Sequence, residues 1–441
     1  MSHLHNPALA TEPLSSAVKI DDVSVTVPAG IWNVAGREVE IKKGGRFFVR
    51  NDAIQVVRHE PLQLSPKKPE GFWTGTKLQG PRTYGPLNAI NSLRADTLVL
   101  RRTKNGPPLA LGRDYLLSTA FALVGLGPNT DLTAEDIVYA SYEYGVHRLD
   151  SVVLRSDGST DYVQGTAGTG AIFPLEIEPD TVRLFNVFRP FGVDLLQPEH
   201  LFFAEAEGTA LPTKTTIGRI PKTLQKLKNG EPVTIVCLGD SVTAGADIAN
   251  PSGFYVEQFR AALRSRYASE QINLHNISIG GTKSIQWLYH GNYERFPKYD
   301  PTMCTFKRVT ALRPDLVTIE FVNDITLTPE ELEWSYNKMA DELQALGAEI
   351  ILITPHFTHQ SMMKVPNGTL RPGDKRPYVA FLREFSQRKT LGLADAAARW
   401  EQSWKEGIPY ITLLANHYNH PSAEGNRYFA QELIKCFDHE K

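Results

Sequence analysis

Four short stretches of this sequence carry the residue types that an acyl transfer needs. Gly239-Asp240-Ser241-Val242-Thr243 offers a hydroxyl, and Asn276-Ile277-Ser278-Ile279-Gly280-Gly281-Thr282 offers paired glycines. Phe321-Val322-Asn323-Asp324 offers a side-chain amide, and Asn416-His417-Tyr418-Asn419-His420-Pro421 offers imidazoles. A serine hydroxyl is a weak nucleophile until an imidazole accepts its proton, and the tetrahedral oxyanion that follows needs hydrogen-bond donors fixed in place. Ser, Gly, Asn and His suffice for both tasks. Taken singly, each stretch has an ordinary explanation: a serine that caps a helix, a glycine turn, an Asn-Asp cap, a structural histidine. Their shared position in the chain is what sets them apart.

That position is the end of a strand or the start of a helix. Strands are expected over Val233–Leu238, Ile272–Ile277, Leu316–Phe321, Glu349–Thr354 and Gly392–Asp395, and helices over Tyr255–Tyr267, Pro329–Leu346, Tyr378–Lys389 and Ala423–Phe437. Alternating strands and helices build a doubly wound parallel sheet, whose ligands bind beyond the carboxyl ends of the strands. Ser241, the paired glycines and Asn323 each follow such a strand, and His420 immediately precedes the last helix. Thr328-Pro329 and Gly347 punctuate one helix as start and stop signals should.

The first half has a different character. Residues 1–20 show no periodicity, and His3 and His5 there belong to a loose tail. Over residues 21–210 runs such as Val23-Ser24-Val25-Thr26-Val27 and Arg37-Glu38-Val39-Glu40-Ile41 alternate between Gly, Pro, Asn and Asp turns, which implies a β-rich sandwich or barrel. Trp32, Trp73, Tyr84, Tyr142 and Tyr144 could form a sugar-stacking platform, set against the usual role of strand aromatics in packing. Residues 211–230, basic and with Pro212 and Pro221, are expected to be a linker or a docking helix, leaving 231–441 as one α/β domain.

At the four stretches the sequence resembles the SGNH, or GDSL-type, hydrolase superfamily, most specifically in Gly239-Asp240-Ser241-Val242-Thr243-Ala244-Gly245. The resemblance covers roughly Glu231 to Phe437. It implies a flavodoxin-like α/β/α sandwich and a serine esterase working through an acyl-enzyme. It further implies Ser241 as nucleophile and His420 as base, with Gly281, Asn323 and the Ser241 N–H as the oxyanion hole; Gly280 is the alternative to Gly281. Two positions depart from the family pattern. Phe321 stands where Gly usually lies two residues before the Asn, which alters the site floor, and His417 stands where an Asp usually orients the base. The expectation is therefore a Ser-His dyad with a main-chain carbonyl on His420, and with His417, Asp240 and His356 orienting or lining the site. Asp395 and Glu424 are the alternative carboxylates, without support from spacing.

Composition narrows the partners. In 441 residues, 47 Lys and Arg stand against 49 Asp and Glu, and a net charge of −2 gives no field for collecting nucleic acid or an anionic membrane. Cys237, Cys304 and Cys436 have no disulfide or zinc spacing. The pairs His356/His359 and His417/His420 lie in Pro-flanked loops without a carboxylate cluster, so no metal and no cofactor are expected. The opening residues lack the pattern of a signal peptide, which points to the cytoplasm or to export with the signal removed. The expected substrate, from the family's β-rich plus hydrolase architectures, is an O-acetylated oligosaccharide or polysaccharide. A lipid or aryl ester hydrolase and an inactive binding protein on the same fold are the alternatives.

Overall fold

The computed structural model describes residues 11–49, 54–72, 74–205, 213–267, 271–288 and 305–438; His3, His5, Trp73 and Cys304 lie outside them. Two compact units divide the chain. The first holds Met1–Thr83, Leu87–Ala210 and Ser403–Thr412, and the second Tyr84–Pro86, Leu211–Gln402 and Leu413–Lys441.

The second unit is built on five parallel strands: β1 (Val233–Gly239), β2 (Ile272–Ser278), β3 (Leu316–Glu320), β4 (Glu349–Ile353) and β5 (Gly392–Ala394). Their order across the sheet is β2-β1-β3-β4-β5. The chain therefore reverses its direction of travel at β1, and the crevice beyond the carboxyl end of β1 is the topological switch point of this flavodoxin-like order. The fold is the α/β sandwich that the strand and helix alternation implies.

Burial explains the sequence pattern. β1 reads as an unbroken apolar run because helices cover both faces of a parallel sheet. Val236 and Leu238 join a core with Tyr336, Met339 and Leu343 of the helix α3 (Pro329–Ala345) and Leu382 and Phe385 of α4 (Pro377–Lys389). Elsewhere in this unit α2 (Tyr255–Tyr267) packs on α5 (Ala423–Lys435) through Tyr255 on Phe429, with ring centroids 5.4 Å apart. The start of α3 is fixed by a reciprocal cap: Thr328 Oγ1 accepts from the Glu331 N–H at 3.2 Å, and the Glu331 carboxylate accepts from the Thr328 N–H at 2.8 Å.

The segment expected to link the halves is instead part of this unit. Pro221–Lys228 is the helix α1, Lys226 pairs with Asp315 at 2.7 Å, and the Thr216 N–H donates to the Leu393 carbonyl at the edge of β5. Of the basic residues read as linker chemistry, Lys222, Lys226 and Lys228 belong to this amphipathic helix, whose Leu224 and Leu227 are buried. Ser403–Thr412, conversely, groups with the β-rich unit.

In the β-rich unit the sheets among the described residues pair antiparallel. Ile137–Gly145 lies between Ile54–Gln63 and Leu93–Arg101 in one sheet, and His147–Leu154 is buried along its whole length in another. Among the described residues, one hydrophobic cluster forms around Val25, Phe185 and Val187 and another around Leu100, Val124 and Val138. Trp32, Tyr142 and Tyr144 do not form one platform. Trp32 packs on the first cluster, and Tyr142 is buried, its hydroxyl accepting from the Gly80 N–H at 2.9 Å and donating to the Glu60 carboxylate. Tyr144 tilts against Tyr142, while Tyr84 is 53% exposed and belongs to the second unit.

Candidate active site

Ser241 sits two residues beyond β1, and the turn that places it requires glycine. A Cβ on Gly239 would stand 2.0 Å from Thr243 Oγ1 and 2.5 Å from the Glu320 carbonyl, so only a bare Cα lets the chain fold back against β3. The turn closes on itself through the Ala244 N–H to the Asp240 carbonyl at 3.0 Å and the Ala246 N–H to the Ser241 carbonyl at 3.0 Å. Asp247 thereby returns to the side of the crevice where Ser241 lies, in a left-handed conformation (φ 63°) that aspartate tolerates.

His420 completes a line of three side chains. Its Nε2 lies 2.9 Å from Ser241 Oγ and its Nδ1 lies 2.6 Å from Asp247 Oδ2. A carboxylate can only accept, so the ring proton belongs on Nδ1 and Nε2 is left to receive the serine proton. Ser241, with 8% of its surface exposed, and the 5% exposed Asp247 side chain lie in a largely water-excluded place.

This geometry corrects the expected dyad. The group on His420 Nδ1 is the Asp247 carboxylate rather than a main-chain carbonyl. Asp395 is engaged elsewhere, accepting from Arg383 Nη2 at 2.9 Å and from the Lys214 N–H at 3.0 Å, and Glu424 pairs with Arg427 on the outside of α5. His417 does not orient the base: it adopts φ 54°, and its ring tilts against His359 with centroids 5.7 Å apart. His356 does not line the site either. It is wholly buried between Trp400 and Phe429, and its Nε2 donates to the Asn419 carbonyl at 2.8 Å. Burial, reinforced by the Arg376 guanidinium, pushes its pKa down to about 3, so it is a neutral strut under the loop that carries His420.

Asn416 holds that loop, and the sequence reading gave it no role. Its Oδ1 accepts from the N–H groups of Tyr418, Asn419 and His420 at 2.9, 2.9 and 3.0 Å, while its Nδ2 donates to Asp247 Oδ2 at 2.9 Å. One amide thus fixes both the backbone of His420 and the carboxylate that faces it.

The other two stretches meet the same crevice. Gly280 lies against the serine, since a Cβ built on it would be 3.5 Å from Ser241 Cβ, and Gly281 follows in a left-handed turn (φ 78°). Asn323 Nδ2 donates to Asp240 Oδ2 at 2.8 Å and, over a longer 3.3 Å, to the Thr282 carbonyl. Asp240 accepts from the Val242 N–H, the Asn323 N–H and this amide, which makes it the brace of Asn323 rather than a partner of the imidazole. Phe321 is fully buried against Trp287, with centroids 6.5 Å apart, so the departure from Gly fills the core below the site.

Burial raises the carboxylates beneath. Asp240 is pushed up to about 6 and Asp324 to about 7, and Glu320 is held well above its ordinary range. Asp240 receives three N–H donors, whereas Glu320 draws on Thr243 Oγ1 at 3.1 Å and, more loosely, on the Val322 N–H, and its Oε1 makes no close hydrogen bond. Of this close pair, Asp240 is the ionised member at neutral pH and Glu320 keeps the proton. Among the described residues no three His, Cys, Asp or Glu side chains are grouped to hold a metal, and no helix is long and apolar enough to cross a membrane. The His359 ring is occupied through Nδ1 by Ser361.

No curated protein sequence is detectably similar to the chain. Among solved structures, a two-domain esterase (CEX) active on acetylated mannans is similar at 18% identity over 51% of this chain and 54% of that one, with a TM-score of 0.38. The chain thus spans about half the length of that protein. A lipase/acylhydrolase from Enterococcus faecalis is similar at 20% identity over 46% of this chain and 94% of its own, with a TM-score of 0.32. TesA is similar at 16% identity over 46% and 97%, with a TM-score of 0.34. Residues 237–428 match the GDSL-like lipase/acylhydrolase family, and this span contains the turn after β1, the paired glycines, Asn323 and the loop of His420. The second unit of the chain therefore carries the region that matches the GDSL-like lipase/acylhydrolase family.

Proposed function

We propose that the chain is a serine esterase that removes short acyl groups, chiefly acetyl, from carbohydrate hydroxyls. The observation that carries the reading is the unbroken line Asp247 Oδ2, His420 Nδ1, His420 Nε2, Ser241 Oγ. In this reading Ser241 Oγ attacks the ester carbonyl as its proton passes to His420 Nε2, and Asp247 stabilises the imidazolium that forms. The carbonyl oxygen gains a negative charge, which the N–H groups of Ser241 and Gly281, or of Gly280 in its place, and the Asn323 amide receive. The long Asn323 bond to Thr282 is the one exchanged for that oxygen. His420 then returns the proton to the departing sugar oxygen. Water, activated by the same imidazole, cleaves the acyl-enzyme, releasing the acid and restoring Ser241.

The carbohydrate reading is supported by the chemistry of the loop bearing the base. Tyr418 and Asn419 of that loop, and Asn276 and Ser278 at the end of β2, are polar and not fully buried. Polar groups of this kind orient hydroxyls. The similar two-domain esterase acts on acetylated mannans, and the same substrate class is proposed for this chain. The test is a series of chromogenic esters of rising acyl length, run beside an acetylated oligosaccharide. Specificity is expected to fall from acetyl to longer chains, with acetate released from the oligosaccharide. Activity that rises with acyl length would make this a lipid or aryl esterase, and an absence of turnover on every ester would leave a binding protein.

A further inference from the structure

The triad carboxylate touches a residue far from it in sequence. Tyr84-Gly85-Pro86 lies amid the β-rich half of the sequence, yet it belongs to the same compact unit as the site residues. A Cβ on Gly85 would stand 2.2 Å from Asp247 Oδ1, 2.5 Å from its Cγ and 3.1 Å from its Cβ. No real Cβ approaches so closely, so either the turn or the carboxylate would have to move. Asp247 has little freedom to do so: its other oxygen is held by His420 Nδ1 at 2.6 Å and Asn416 Nδ2 at 2.9 Å. The backbone of Gly85 is at φ +110°, where an L side chain is strained in any case.

We infer that Gly85 is a positioning residue for the triad: its bare Cα forms the wall against which the free edge of the Asp247 carboxylate rests. This rests on the esterase reading above. His420 and Asn416 hold one oxygen of Asp247, and Gly85 limits where the other can go. The carboxylate is thereby confined to the rotamer that faces the imidazole. A misplacement of about 1 Å in such a constellation costs on the order of 10²-fold in turnover.

The experiment compares Gly85→Ala with Gly112→Ala in the full chain, with Asp247→Asn alongside. Gly112 is also left-handed, at φ +83°, but a Cβ there meets nothing within 4 Å, so it reports backbone strain alone. Gly85→Ala is expected to lower kcat on an acetyl ester by about 10²-fold, with KM little changed. Gly112→Ala should leave both at parental values. In the double variant Gly85→Ala/Asp247→Asn, the glycine substitution should cost nothing beyond Asp247→Asn, since both act through one group. If Gly85→Ala fails to fold, Gly85→Ala/Asp247→Ala removes the two atoms the methyl would strike hardest, Oδ1 and Cγ, and should restore folding; failure there too overturns the inference, as would parental kcat in a folded Gly85→Ala. A folded Asp247→Asn with parental turnover would instead defeat the triad reading on which the inference rests.

Discussion

The side chain that does most to assemble the site is Asn416, which makes no contact with the serine. An amide offers an acceptor and two donors at once, and here the acceptor gathers three backbone N–H groups while one donor reaches Asp247. Its two tasks can be separated by substitution. Asn416→Asp keeps an acceptor for the loop but sets a second negative charge against Asp247, so turnover is expected to fall about 10²-fold through displacement of the carboxylate. Asn416→Ala leaves three N–H groups of a tightly turned loop without their acceptor, and should lose a similar factor in turnover and several degrees in melting temperature. Kinetics and thermal melts of the two variants together check this. Equal melting temperatures and parental turnover in both would show that the amide holds nothing that matters.

At the scale of elements, β1 and β3 position the site by ending side by side, and that closeness has a cost. Glu320, the last residue of β3, is wholly buried with one oxygen that makes no close hydrogen bond. Its pKa is raised above the ordinary 4.5 by burial, then by the neighbouring Asp240 charge. A group raised in the folded state binds its proton more tightly there than in the unfolded chain. Its contribution is therefore fully present below about pH 4.5 and is lost as pH rises toward the folded value. Glu320→Gln keeps the shape without the ionisation, so the melting temperature of the variant relative to the parent should climb from pH 4 to pH 8. Melts across that range check it, and a constant or falling difference would contradict the placement of the proton on Glu320. The strands β1, β3 and β4 were legible as mostly apolar runs, the edge strand β2 as an alternation of apolar and polar residues, and α3 because Thr328-Pro329 and Gly347 mark its ends. Asp247 was not. The family pattern places the acid three residues before the base, where His417 stands, whereas the only physical requirement is that a carboxylate reach Nδ1. A turn returning six residues after Ser241 meets that requirement and leaves no periodic trace. Residues 211–230 misled for a related reason, since the charges of an amphipathic helix and of a linker look alike until Leu224 and Leu227 are seen to be buried.

At the scale of the molecule, the chain brings together pieces that are remote in sequence. Gly85, the Ser241 to Asp247 turn, the Gly280-Gly281 pair, Asn323 and the Asn416 to His420 loop come from five separate places, and the second unit gathers them at the switch point of its sheet. The short turns of the sheet fix Ser241 and Asn323 locally, whereas the pairing of Asp247 with His420 spans nearly the whole length of the family-matched region and depends on the complete fold. That pairing is the central claim, and kcat of Asp247→Asn on a short acyl ester tests it most directly, measured beside the parent and Glu424→Gln with folding verified for each. An amide in place of the triad carboxylate favours the wrong tautomer of the base, which has cost about 10⁴ in turnover in the best-studied serine hydrolase. A loss of that order in Asp247→Asn, with Glu424→Gln at the parental rate, is the predicted result; a folded Asp247→Asn that turns over within a few-fold of the parent would contradict it.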